Sequence, residues 1–235
     1  MDVIIERVRQ GLRTHADKST SLRGQRFFKE QVKLYGVKTA TVKVIAREHY
    51  KDLCHLDKTD IFRLCETLWQ SIWLEESFVA CTWSYALRKQ YEPGDIIVFE
   101  RWIDRYVTNW ASCDTLCNHS VGTLVDMYPQ QVEVLKKWAI SDNRWMRRAA
   151  AVSLVVPARN GRFLHDVLDI ARILLEDTDD MVRKGYGWML KVASQAHEDD
   201  IFDFVIRNKA AMPRTSLRYA VEKMPPERKA TAMRD

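Results

Sequence analysis

An aromatic side chain and a carboxylate lie one helical turn apart in the segment NWASCDTLC. Trp110 and Asp114 are four residues apart, so on a helix they project from the same face. Trp188, in the segment KGYGWML, lies 78 residues later, close to two periods of the repeat described below. Two electron-rich indole rings near one carboxylate suit a cationic ligand, or a transition state that gains positive charge. These three residues are therefore the candidate catalytic site.

On residue types alone, a purely structural role for these three residues is a strong alternative. The chain has eight tryptophans, and most tryptophans in a globular protein are packed in or near the core. An aspartate one turn after a tryptophan is equally compatible with a helix cap or a solvated charge. Further observations are needed to favour a site.

Composition and charge restrict the classes of partner. The net charge is +5 and the isoelectric point about 8.9, which is compatible with nucleic acid. On a basic chain, the natural cationic ligand is an alkylated DNA base. The N-terminal segment lacks the apolar core of a signal peptide, and no window approaches 18 uncharged apolar residues. We expect no membrane partner and a cytoplasmic location, associated with the nucleoid if the source is prokaryotic.

The cysteines bear on compartment and on metal binding. Their number, five, is odd, which argues against a disulfide framework and favours a reducing cytosol. Cys113, Cys117 and His119 could be read as metal ligands, but their spacing matches no common zinc pattern. We interpret them as small packed residues and expect no metal and no cofactor.

The elements that position these residues are helices. Apolar residues recur every three or four positions, and no stretch alternates as a strand would. The pattern predicts an all-α chain of about twelve helices of 10 to 16 residues. Trp73, Trp110, Trp145 and Met181 follow one another at intervals of 37, 35 and 36 residues. This period predicts HEAT-like helical repeats stacked into a curved α-solenoid with a concave DNA-binding face. We expect one domain over residues 1–235, with 227–235 frayed.

Basic residues also recur with the repeat. Repeated cations at matching positions of a solenoid would form a stripe along a phosphate backbone. The alternative for any single arginine is an ordinary solvated helix face. The residues are Arg144, Arg147 and Arg148 on one predicted helix, and Arg183, Lys184 and Lys191 one repeat later.

Four segments carry a family resemblance. NWASCDTLC, WAISDNRWMRRAA, KGYGWML and the N-terminal loop YGVKT resemble, in order and spacing, the AlkD-like DNA alkylation-repair glycosylases. The resemblance implies a HEAT-like superhelical fold, a catalytic role for Asp114, and flanking positions for Trp110 and Trp188. It also implies recognition of a cationic lesion without full extrusion of the base.

The same resemblance suggests DNA contacts. Arg148 matches an arginine that contacts the backbone, and Lys38 and Thr39 match positions that touch DNA. Lys191 replaces an arginine, which keeps the charge but loses the bidentate fork. The family can place a tyrosine near the lesion. Here the match is Phe27, with Phe28 as an offset alternative, and either keeps the ring but loses the hydroxyl.

These observations lead to one functional expectation and two alternatives. We expect a monomeric, monofunctional DNA glycosylase of base excision repair, which hydrolyses the N-glycosidic bond of 3-methyladenine or 7-methylguanine in duplex DNA. No lysine is placed for a Schiff-base lyase step, so we expect no lyase activity. The alternatives are a non-catalytic HEAT-repeat protein that binds damaged or branched DNA, and a protein-interaction scaffold.

Overall fold

The computed structural model describes residues 2–234, and they are built from helices joined by short turns. No β-strand occurs in this range; a single parallel bridge joins Lys33 to Trp73. The predicted all-α fold is confirmed. The chain divides into two compact units between Ser120 and Val121. That the whole chain is one domain and curves into a solenoid with a concave face stays a prediction.

The first unit contains seven α-helices. They are α1 (Asp2–Thr14), α2 (Lys18–Gln25), α3 (Thr39–Tyr50), α4 (Lys58–Gln70), α5 (Leu74–Ala86), α6 (Asp95–Tyr106) and α7 (Trp110–Leu116). Short 3₁₀ turns follow α3 and α5, and a π-helical turn over Cys117–Val121 follows α7. Helix α5 packs against α3, α4 and α7, around a core that includes the buried rings of Trp69, Trp83 and Trp102.

The second unit continues with shorter helices. They are α8 (Gly122–Met127), α9 (Val132–Trp138), α10 (Arg144–Val152), α11 (Val155–Arg159), α12 (Leu164–Ile173), α13 (Asp180–Ala193), α14 (Glu198–Asn208), α15 (Arg214–Ala220) and α16 (Pro226–Met233). Helix α13 lies at its centre and packs against α10, α11, α12 and α15.

The internal repeat is visible as repeated helix starts. Trp73 is the N-cap of α5, Trp110 is the first residue of α7, and Trp145 and Met181 are the second residues of α10 and α13. A polar cap precedes each of α7, α10 and α13. Such a cap stabilises a helix start because its side-chain oxygen accepts a hydrogen bond from a free backbone N–H. The caps are Asn109, Asn143 and Asp179. The spaced residues therefore all fall at helix starts, and that they mark HEAT-like repeats stays a prediction.

Two expectations need correction. The helices are shorter and more numerous than twelve of 10 to 16 residues, because breaks such as the one between α10 and α11 divide single periodic runs. The C-terminus also differs from the expected frayed segment: α16 is helical and buries Ala232. Side chains of Lys209 and Arg214 bind the carbonyls of Arg234 and Met233. Asp235 lies outside the described residues.

Across residues 2–234, the helices are all too short or too polar to cross a bilayer.

Candidate active site

Helix α7 begins at the candidate catalytic residues. Asn109 caps it, with Oδ1 accepting a hydrogen bond from the backbone N–H of Ser112 at 2.9 Å. Trp110 is therefore the first helical residue, and Asp114 follows one turn later on the same face. Both side chains are half-buried, so each combines a packed base with a surface that a ligand can reach.

The Trp110 indole is held by the segment that follows α2. Its Nε1 donates a hydrogen bond to the carbonyl oxygen of Phe27 at 3.2 Å. The ring of Phe28 lies against the indole, with centroids 5.5 Å apart. The side chain of Phe27 is 75% exposed. Phe28, the offset alternative, is therefore the ring that accompanies Trp110, while Phe27 contributes its backbone carbonyl.

The YGVKT loop is organised by a buried carboxylate. Glu75 is only 3% exposed, and its oxygens accept hydrogen bonds from the backbone N–H groups of Tyr35, Gly36 and Val37 at 3.1, 2.8 and 3.1 Å. Gly36 has φ 84°, and a Cβ there would lie 2.2 Å from the carbonyl oxygen of Asp17. The turn therefore requires a glycine at this position.

A second buried carboxylate supports the same loop. Glu76, 1% exposed, accepts a hydrogen bond from the Tyr35 hydroxyl at 2.8 Å and is paired with Arg9. Burial and the Glu76 carboxylate both raise the pKa of the Tyr35 hydroxyl above its usual range. The Tyr35 ring also stacks on Trp73 at 4.2 Å. The loop is thus held by two buried carboxylates and a ring contact.

Sequence reasoning missed Glu75 and Glu76. The available signal was two adjacent acids inside the apolar run WLEESFVAC. Acids are seldom fully buried unless their oxygens are hydrogen-bonded, so such a pair predicts a polar partner inside the fold. That partner is the loop about 40 residues earlier.

Lys38 and Thr39 follow this loop at the start of α3. Both are exposed, and no side chain caps the helix. The first-turn N–H groups of a helix favour anions, and an adjacent lysine adds to the effect. The loop network thus presents a cation and a helix start together.

Trp188 lies in the second unit on α13, where it is half-buried. Two glycines just before it, Gly185 and Gly187, let neighbouring helices approach this segment. A Cβ at Gly187 would lie 2.8 Å from Cβ of Tyr219 on α15, and one at Gly185 would lie 3.4 Å from Cγ of Arg148 on α10. The KGYGWML segment is therefore a close-packing motif that carries a tryptophan. That Trp188 faces the same ligand as Trp110 stays a prediction.

The two arginines that were predicted to contact DNA, Arg147 and Arg148, bind groups within the second unit. Arg148 is 5% exposed, and its Nη1 donates to the carbonyl oxygen of Met181. Arg147 binds the Asp177 carboxylate through Nε at 2.6 Å and the carbonyls of Ser141 and Asp142 through Nη1 at 2.9 and 3.0 Å. In this structure both arginines tie α10 to neighbouring segments.

The other members of the expected basic stripe are paired as well. Lys191 forms an ion pair with Glu222 at 3.1 Å, and its ammonium lies 5.3 Å from the centre of the Tyr219 ring. Its side chain is 17% exposed. Three further cations have partners inside the unit: Arg144 with Asp179, Lys184 with Asp180, and Arg183 with the carbonyl of Asp177.

The cysteines are packed as interpreted. Cys113 and Cys117 are fully buried. Among residues 2–234, one group brings three His, Cys, Asp or Glu ligand atoms within 4.8 Å of one another, namely His165, Asp166 and Asp169. Lys136 binds both of its aspartates, at 2.8 and 3.2 Å, so an internal cation already balances this cluster.

Comparisons with known proteins agree with this architecture. No curated protein matches the chain. The chain is similar to a solved structure described as a predicted DNA alkylation repair enzyme from Enterococcus faecalis. The TM-score is 0.80, over 90% of this chain and 98% of that one, at 13% identity, which shows a shared fold. A family model described as DNA alkylation repair enzyme matches residues 8–224. Since that match covers most of the sequence, the chain belongs to the DNA alkylation repair enzyme family, as its AlkD-like motifs indicated.

Proposed function

We propose that this protein is a monofunctional DNA glycosylase that releases cationic N3- or N7-alkylated purines from duplex DNA. The observation that carries the proposal is the face of α7 on which Trp110 and Asp114 lie one turn apart, both half-buried. The hydrogen bond to Phe27 and the ring of Phe28 hold the indole in place. Family membership supports a role in DNA repair.

The chemistry follows from the charge of the lesion. A purine alkylated at N3 or N7 already carries positive charge, so it leaves as a neutral base and needs no general acid. The bond between the sugar C1′ and the base nitrogen breaks, and its electron pair goes to the base. The deoxyribose becomes an oxocarbenium ion. The products after attack by water are an abasic site and a neutral alkylpurine.

Asp114 would act on the sugar. Its carboxylate stabilises the oxocarbenium ion by charge and accepts a proton from the water that forms the new C1′–O bond. Trp110 and Trp188 would tolerate the cationic base through cation–π contacts, worth roughly 0.5–2 kcal/mol each. This scheme uses no lyase step, metal or cofactor.

DNA binding would begin at the start of α3. Exposed Lys38 and Thr39, with the uncapped N–H groups of the helix, suit a phosphate. In the second unit, Lys191 is a better candidate than Arg147 or Arg148, because its partner Glu222 is 48% exposed and can exchange with a phosphate. Arg148 would need to give up its bond to Met181.

The test is release of free 7-methylguanine and 3-methyladenine from methylated duplex DNA. The wild-type chain should release them, and Asp114→Asn should release them at least about a hundredfold more slowly while still binding DNA. Asp203→Asn, at a 66% exposed carboxylate, is the matched control and should behave as wild type. Normal turnover by Asp114→Asn would refute the mechanism. Salt-sensitive DNA binding without release by the wild type would instead indicate a non-catalytic DNA-binding protein.

A further inference from the structure

A cleft of about 510 Å³ lies in the first unit, between α3, α5 and the end of α7. Its size is in the range of pockets that bind small ligands, roughly 300–1,000 Å³. Thr39 lies on its wall, next to the proposed phosphate contact Lys38. Thr115, which directly follows Asp114, lies on the opposite helix. The cleft is thus adjacent to the candidate active site but is not used by the proposed reaction.

The cleft is strongly cationic. Of the described residues that line it, Lys43, Arg47 and Arg88 carry positive charge and none is a carboxylate. Lys43 and Arg47 are spaced one turn apart on α3, so they project into the cleft from the same helix face. Both are exposed, and neither forms an ion pair or side-chain hydrogen bond within residues 2–234. Two open cations with no internal partner favour an anionic ligand.

The rest of the wall is aromatic. Phe78, Tyr85 and Tyr50 are half-buried, so part of each ring faces the cleft. Tyr85 is held in place by the Arg88 guanidinium at 4.6 Å and by the ring of His119 at 5.2 Å. These contacts hold the Tyr85 ring at the cleft wall, which Phe78 and Tyr50 also line. Such surfaces suit a planar, apolar ligand face.

His119 adds polar groups without adding charge. Burial and the nearby Lys43 ammonium lower the pKa of His119, even though part of the ring is exposed. The imidazole is therefore neutral near pH 7, with one nitrogen that donates and one that accepts. Thr82 and Thr115 supply hydroxyls on the same wall. Together they can meet the polar edge of a ring.

We propose that this cleft binds one nucleotide, with Lys43 and Arg47 on its phosphate and the aromatic wall against its base. The chemistry combines the two elements by which proteins hold unpaired nucleotides, a cationic groove and an aromatic stacking surface. Inorganic phosphate would contact the cations but not the aromatic rings, and an uncharged aromatic ligand would contact the rings but not the cations. The nucleotide can be free or part of a DNA strand.

The first arm of the test uses free ligands and the full chain. Calorimetry at low salt would compare 2′-deoxyadenosine 5′-monophosphate with deoxyadenosine and with inorganic phosphate. The nucleotide should bind more tightly than either part. Arg47→Gln should weaken nucleotide binding about tenfold, as expected for loss of a charge-assisted phosphate contact. Arg47→Lys should retain part of the affinity. Arg105→Gln, at an exposed arginine outside the cleft, should have no effect.

A second variant tests the aromatic wall. Phe78→Leu should weaken binding of the nucleotide but leave binding of inorganic phosphate unchanged. Thermal unfolding of each variant would identify a loss of fold, in which case Thr82→Val replaces Phe78→Leu as the second probe. Phosphate that binds as tightly as the nucleotide would overturn the proposal, since the site would then be a simple anion site.

The second arm identifies the source of the nucleotide. Binding to a duplex with one unpaired nucleotide would be compared with binding to a fully paired duplex. A preference for the unpaired nucleotide that Arg47→Gln removes assigns the cleft to DNA. An Arg47-dependent affinity for the free nucleotide alone assigns it to free nucleotides. Identical binding of every ligand by wild type and Arg47→Gln would overturn the proposal. These readouts need no base release, so they stand apart from the glycosylase test.

Discussion

In the first unit, Lys38, Lys43 and Arg47 are exposed and form no ion pair within residues 2–234. In the second unit, Arg147 and Lys191 are bound to Asp177 and Glu222. Other cations of the first unit, such as Arg9, are paired, but these three are open to a ligand, whereas Arg147 and Lys191 connect segments of the second unit. The basic residues that recur with the sequence repeat pointed to the second unit. Availability for a phosphate, however, depends on partners that only the fold reveals.

One buried carboxylate of the first unit differs from two carboxylates of the second. Glu75 has no cationic partner within residues 2–234 and accepts hydrogen bonds from three backbone N–H groups of the YGVKT loop. In the second unit, Asp177 and Asp179 bind arginine side chains. The loop that precedes Lys38 is thus held by a carboxylate that does not use this cation.

The largest expected effect comes from Glu75→Ala. It would leave three buried N–H donors without an acceptor, at a cost of about 1–3 kcal/mol each if none recovers a partner. We expect the free energy of unfolding to fall by at least about 3 kcal/mol in urea titrations. Glu48→Ala, at an exposed glutamate on α3, is the control and should change it by less than about 0.5 kcal/mol. Equal effects of the two variants would contradict the role of Glu75.

Substitution of Arg147 and of Lys38 would distinguish a cation that stabilises the fold from a cation that is available to a phosphate. Arg147→Ala removes hydrogen bonds to a nearly buried carboxylate and should lower stability by about 2 kcal/mol, with little change in DNA affinity of the folded protein. Lys38→Ala should leave stability unchanged and weaken duplex binding several-fold, with a salt slope smaller by about 1. Chemical denaturation and DNA titrations over a range of salt would measure both. A loss of DNA affinity at unchanged stability in Arg147→Ala, together with a loss of stability at unchanged affinity in Lys38→Ala, would contradict the comparison between the units.

Phe28 and Phe27 test how the indole is held. Phe28→Leu should lower base release several-fold, because the aromatic contact with Trp110 is worth about 1 kcal/mol. Phe27→Leu is the matched control, since the Phe27 side chain is exposed and only its carbonyl meets the indole. Rates of 7-methylguanine release would decide between them. A larger loss in Phe27→Leu would mean that its ring contacts the DNA, as the family match suggested.

Asp179 provides the smallest effect, visible in the pH dependence of stability. Burial opposes ionisation, but hydrogen bonds from Met181 and Val182 and the Arg144 guanidinium lower the pKa of Asp179 below 3.8. Its contribution is therefore complete above pH 3.8 and is lost as the pH falls through the lowered value.

Replacement by asparagine would isolate this contribution. Asparagine is also a good N-cap, so Asp179→Asn should cost less than about 1 kcal/mol at neutral pH. The difference from wild type should shrink below pH 3.8 in acid unfolding experiments. A difference that stays constant down to pH 2 would contradict the role assigned to the charge.

The sequence by itself determined the local features of this protein. Apolar periodicity predicted helices. The polar residues before Trp110, Trp145 and Met181 cap helix starts, a local effect because a cap acts only on the next few backbone groups. The spacing of Trp110 and Asp114 placed them on one face for the same reason. Ordered motifs identified the family. The turn at Gly36 was also predictable, since glycine accepts a positive φ at little cost.

Only the tertiary structure decided which groups are paired and which are open. Glu75 meets its loop, Trp110 meets Phe28, and Arg147 meets Asp177 across at least 30 residues of sequence. The ring that contacts Trp110 belongs to Phe28, one residue after Phe27. Apolar periodicity does not tell which of two adjacent residues makes such a contact, because this segment lies outside a helix. The cleft lined by Lys43 and Arg47 likewise depends on three helices that converge. Hydrogen bonds and ion pairs depend on distances in space, and separation along the chain does not determine them.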